Sequence, residues 1–93
     1  MDLNEIKQQI KPVLQKYGVT EASIVGSVAR DEEIETSDID IIIEATKDMS
    51  LLTFSRLKLE LENVLKKKVD LIERSAVKPR LKNYLLKDEV KVF

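Results

Sequence analysis

The chain has 93 residues, 16 of them Lys or Arg and 17 Asp or Glu, for a formal net charge of -1, and it contains no His, Cys or Trp. Those absences exclude a Ser-His-Asp hydrolase, a Cys nucleophile, a disulfide scaffold and any zinc site built from His or Cys. Catalysis is left to carboxylates, hydroxyls, amines and hard metal ions.

The first element is a helix, because Leu3, Ile6, Ile10, Val13, Leu14 and Tyr17 recur at spacings of three and four. Asp2 with Glu5 forms a capping box at its start, and Gly18 is placed to end it. Pro12 falls inside the pattern and predicts a kink or two abutting short helices, since proline lacks an amide donor and crowds the preceding turn. A buried strand follows at Ala22-Ser23-Ile24-Val25, closed by Gly26. A clearer strand runs through Asp38-Ile39-Asp40-Ile41-Ile42-Ile43. Residues 51 to 65 return to helical period through Leu51, Phe54, Leu57, Leu61, Val64 and Leu65, with Asp48 or Ser50 as cap. Lys66, Lys67 and Lys68 close that helix, where cations complement the macrodipole. Val69-Asp70-Leu71-Ile72 is a third strand, and Leu81, Tyr84, Leu85 and Leu86 mark a last helix entered near Pro79. Val90-Lys91-Val92-Phe93 alternates like an edge strand. The order predicts an α/β fold, a small mixed β-sheet with packed helices, in a single domain over residues 1–93. No apolar run approaches the about 20 residues of a membrane span, and the first residues are neither basic nor apolar, so a cytoplasmic protein without membrane contact is expected.

The charge resolves into blocks along the chain. Residues 1–30 carry four bases and three acids, residues 31–48 one base and eight acids, and residues 49–93 eleven bases and six acids. Most of these charges read as solvated faces and loops. Three aspartates do not, because they stand in strands, where aspartate is disfavoured. Asp38 and Asp40 are two apart, so a strand turns both to one face and Ile39, Ile41 and Ile43 to the other. Asp70 faces opposite to Val69 and Leu71. If the two strands are neighbours, three carboxylates converge, and such a cluster requires a divalent cation, magnesium or manganese by its oxygen ligands. Gly26-Ser27 supplies the other half. Glycine admits a phosphate close to the backbone, and the Ser27 hydroxyl with the amides of the following turn can hold an anion.

Gly26-Ser27, then residues 28 to 37, then Asp38-Ile39-Asp40, with Ile24-Val25 ahead of them, resemble the signature of the DNA polymerase β-type nucleotidyltransferase superfamily. Ala29-Arg30, Ser37 and Val69-Asp70-Leu71 further resemble its small stand-alone branch, the minimal nucleotidyltransferases, over nearly the whole chain. That branch is similar to the antitoxin half of HEPN-MNT toxin-antitoxin systems. The resemblance implies a nucleotidyltransferase core in which Asp38 and Asp40 bind two magnesium ions bridging the triphosphate of ATP. It also implies that Asp70 completes the site near the attacking hydroxyl, as a further metal ligand, while Gly26 and Ser27 hold the β and γ phosphates; with no His in the chain, Asp70 is the natural candidate for the base. Many relatives continue the Ala-Arg pair with glycine where this chain has Asp31-Glu32-Glu33, which makes that loop more acidic.

A chain this short has no room for an acceptor domain, so the acceptor is another macromolecule. The resemblance identifies it as a HEPN ribonuclease toxin that receives AMP on a tyrosine, and Lys78, Arg80, Lys82 and Lys87 are candidates to dock it or the triphosphate. The alternative is a catalytically silent antitoxin that works by occlusion. Three mutually repelling carboxylates on one face favour the enzyme. Direct nucleic-acid binding is disfavoured by the near-zero charge and the four aromatics.

Overall fold

The computed structural model describes residues 2–26, 38–45, 49–80 and 87–93. Asp2 opens helix α1, Leu3–Lys16, by accepting a hydrogen bond from the Glu5 amide at 2.8 Å. Gly18, at φ 79°, turns the chain out of it. Of the kink or two abutting helices that Pro12 suggested, the second does not occur, because one helix runs through it. Pro12 is exposed, and the carbonyl it leaves without a donor belongs to Gln8, which is also exposed, so water satisfies what the ring removes.

Strand β1, Val19–Val25, starts three residues earlier than its apolar run, because an irregularity between Val19 and Glu21 turns Thr20 and Glu21 to solvent. Strand β2 is Ile39–Ala45. Helix α2, Leu51–Leu65, is capped by Ser50, whose side chain accepts from the Thr53 amide at 3.1 Å, while Asp48 lies outside the described residues. Strand β3 is Val69–Glu73, followed by a short 3-10 turn at Arg74–Ala76. Strand β4 is Val90–Lys91. The helix expected at Leu81, Tyr84, Leu85 and Leu86 lies outside the described residues.

The four strands form one mixed sheet in the order β3-β2-β1-β4. β1 pairs antiparallel with β2 and with β4, and β2 pairs parallel with β3 through the α2 crossover. β4 is the edge strand its alternation suggested, and the pairing continues past it, with the Val92 amide donating to the Ala22 carbonyl at 2.8 Å.

Alternation divides the sheet into two faces. Ala22, Ile24, Ile39, Ile41, Ile43, Val69 and Leu71 face Ile6, Ile10 and Leu14 of α1 and Leu57, Leu61 and Leu65 of α2, and together they make the main core. α1 and α2 also meet through the Glu60 carboxylate, which accepts from the Lys16 ammonium at 3.2 Å and the Tyr17 hydroxyl at 3.3 Å. The second face carries Ser23, Val25, Asp40, Ile42 and Asp70. Val25 and Ile42 are fully buried there, outside the main core.

Candidate active site

The candidate site lies at one end of the sheet, where β1 finishes and β2 and β3 both begin. Antiparallel register sets Val25 opposite Asp40, and parallel register sets Asp40 opposite Asp70. Neighbouring strands lie about 4.8 Å apart and the pleat points register partners to the same side, so Asp40 and Asp70 emerge next to one another. Asp38 precedes β2 by one residue, about 7 Å from Asp40 along the strand direction. Burial is graded across the three: Asp40 is half-buried, and Asp38 and Asp70 are exposed. Asp70 does face away from Val69 and Leu71, which are only 2% and 7% exposed.

Gly26 completes the described part of the site. Its φ of 76° is one that side chains rarely adopt. A Cβ there would press on the Asp40 carboxylate, with the Asp40 Cγ at 3.3 Å and Cβ at 3.6 Å from the added carbon. The missing side chain therefore has two physical reasons: a left-handed backbone and a carboxylate packed directly against it. The result is a shallow cradle of bare backbone beside an acid. Ser27, Arg30 and the acids Asp31, Glu32, Glu33 and Glu35 lie outside the described residues.

Among the described residues no three acids come close enough together to hold a metal ion, so the expected convergence of all three carboxylates is not found there. The register brings Asp40 and Asp70 side by side and leaves Asp38 two residues along the chain from the pair. Oxygen donors only, two of them solvent-accessible, beside a backbone cradle too tight for a side chain, fit a hard divalent cation carrying a phosphate.

Sequence reasoning missed Glu62. Its carboxylate accepts a hydrogen bond from the Val69 amide at 2.9 Å, immediately before Asp70. A signal existed: an acid in the last turn of a helix opposes the macrodipole and needs a reason to be there. The basic residues Lys78, Arg80 and Lys87 are exposed, and Lys82 lies outside the described residues.

The arrangement has known counterparts. The nucleotidyltransferase domain family matches residues 6–92. This chain belongs to that family. It is 51% identical to a Methanocaldococcus jannaschii chain assigned as a protein adenylyltransferase, over 100% of both chains. It is 35% identical to the protein adenylyltransferase MntA of Thermococcus cleftensis, covering 88% of this chain and 83% of that one. A crystal structure of a toxin-antitoxin pair with AMP-PNP contains a chain of the same fold, at TM-score 0.83 and 19% identity over 94% of this chain and 72% of that chain. The protein is thus a nucleotidyltransferase, with two α-helices and a four-stranded mixed sheet among the described residues.

Proposed function

We propose that the chain is a magnesium-dependent adenylyltransferase that acts as an antitoxin, transferring AMP from ATP to a tyrosine of a cognate HEPN ribonuclease toxin. The observation that supports the reading most is the abutment of Gly26 on the Asp40 carboxylate with Asp70 next to it in register, which sets bare backbone and a pair of acids within one strand spacing. Protein adenylyl transfer is the activity named for the relatives, and a chain of this fold occurs in a toxin-antitoxin structure with an ATP analogue.

In this reading Gly26 and Ser27 hold the β and γ phosphates through backbone amides and a hydroxyl. Asp38 and Asp40 would hold two magnesium ions, with Asp70 as a further ligand. Bound magnesium would supply the positive charge that offsets both the triphosphate and the repulsion among the three carboxylates. Asp70, exposed and without a His to compete, takes the proton of the tyrosine hydroxyl. The tyrosine oxygen bonds to the α-phosphorus in line with the departing bond to the β-phosphate, and pyrophosphate leaves.

The test incubates the purified chain with Mg2+, ATP labelled on the α-phosphate, and the HEPN protein encoded beside it. Wild type should label that protein on tyrosine, and a chain with Asp38→Asn and Asp40→Asn should not. Protection from toxicity that persists undiminished in the double variant would replace the enzymatic reading with occlusion.

A further inference from the structure

The peptide unit between Lys68 and Val69 is held on both sides. Its carbonyl accepts from the Ile39 amide of β2 at 3.0 Å, and its N–H donates to the Glu62 side chain at 2.9 Å. A peptide is planar, so fixing its two polar ends fixes the plane. β3 is a terminal strand of the sheet, and an N–H directed away from β2 would otherwise face water or an incoming strand. Glu62 also accepts from the Lys66 amide through its own main-chain carbonyl at 2.8 Å, so one residue closes the turn from both ends. Lys66 takes a left-handed conformation at φ 58° to make that turn. The next residue after the clamped peptide is Val69, buried in the core, and the one after that is Asp70.

We propose that Glu62 is a positioning residue for nucleotidyl transfer, which holds Asp70 opposite Asp40 by clamping the Lys68–Val69 peptide. The idea rests on the adenylyltransferase reading for its kinetic consequence, but its structural part stands independently. Glu62 touches neither acid and approaches the site only through the backbone. Its bond to Val69 uses one carboxylate oxygen as an acceptor, so an amide oxygen can replace it. The negative charge is not required for the clamp; it only needs to be tolerated near the helix end, where Lys58, Lys66, Lys67 and Lys68 surround it.

The experiment compares wild type, Glu62→Gln and Glu62→Ala by three measurements. Amide hydrogen exchange at Val69 and Asp70 should be slow in wild type and in Glu62→Gln and clearly faster in Glu62→Ala. Manganese alone, titrated with paramagnetic broadening as the readout, should bind Glu62→Ala about 10- to 100-fold more weakly, the usual size for the loss of a group that supports metal ligands. In the transfer assay kcat should fall by about the same factor in Glu62→Ala, with KM for ATP within about twofold of wild type and recovery in Glu62→Gln. Equal exchange at Val69 in wild type and Glu62→Ala would overturn the proposal. So would a Gln variant as impaired as the Ala variant, which would mean that Glu62 acts through its charge. If wild type itself transfers nothing to the HEPN protein, the adenylyltransferase reading fails, and the exchange and manganese measurements still decide for or against the clamp.

Discussion

The two faces of the β-sheet use the same strands for opposite ends. On one face Ile39, Ile41 and Ile43 of β2 are at most 2% exposed and meet α1 and α2. On the other, in the alternate positions of the same strand, stands Asp40, with Asp38 just ahead of the strand and Asp70 beside it on β3. The isoleucines gain free energy by leaving water. The aspartates are held near one another against their mutual repulsion, and they stay there because the isoleucines fix the strand register. A one-residue slip would turn Asp40 into the core and Ile41 out, so the apolar face enforces the geometry of the charged one.

That division of labour can be broken or sharpened by substitution. The largest effect is expected at Asp40→Asn, which should lower transfer on the order of 10²- to 10³-fold or more, as for loss of a group that stabilises developing charge, while circular dichroism shows an unchanged fold. Collapse of the fold instead would mean that Asp40 is a structural residue. Next, Ile41→Ala should cost about 2–5 kcal/mol and Ile41→Val about 0.5–1.5 kcal/mol in urea unfolding. The Val variant should keep wild-type KM and kcat, and a large loss of kcat in it would show that the faces are not separable. Gly26→Ala probes the boundary between them. The left-handed backbone alone should cost about 1–2 kcal/mol, and pressure on the Asp40 carboxylate should depress transfer beyond what that stability loss explains. The smallest change should be Lys66→Gly. Relief of φ 58° less the added freedom of the unfolded chain should stabilise by about 0.5–1 kcal/mol, with transfer unaffected.

The sequence showed different parts of this architecture with unequal clarity, for physical reasons. Local periodicity is a property of neighbouring residues, so α1, α2, and the faces of β2 and β3 could be read from the order of apolar and charged side chains alone. Asp38 and Asp40 were legible because two strand aspartates flanking Ile39 conflict with strand preference. The pairing of Asp40 with Asp70 was readable only conditionally, since it depends on β2 and β3 being neighbours, which the crossover decides. The contact between Gly26 and Asp40 comes from the antiparallel register of β1 on β2 and has no local signature beyond a glycine at a strand end. Pro12 did not split α1 in two, because the cost of a proline depends on whether the deprived carbonyl can reach water, and that is a matter of which side of α1 faces out. Glu62 was overlooked because its partner lies seven residues on, across a turn, where no pattern of period two or 3.6 connects them.

The parallel pairing of β2 with β3 also imposes an order in time. β1 can hairpin onto β2 once the chain has been synthesised through Ala45, and the cradle at Gly26 can meet Asp40 then. Asp70 cannot arrive until α2 has formed and folded back, because a parallel neighbour needs a crossover rather than a tight turn. The contact that completes the acid pair is therefore non-local, with the entropy of a long loop to overcome first, and the pairing of β4 with β1 closes a longer loop still. A nascent chain on the ribosome would expose half a site with no function until the strand after the lysine turn emerges and docks.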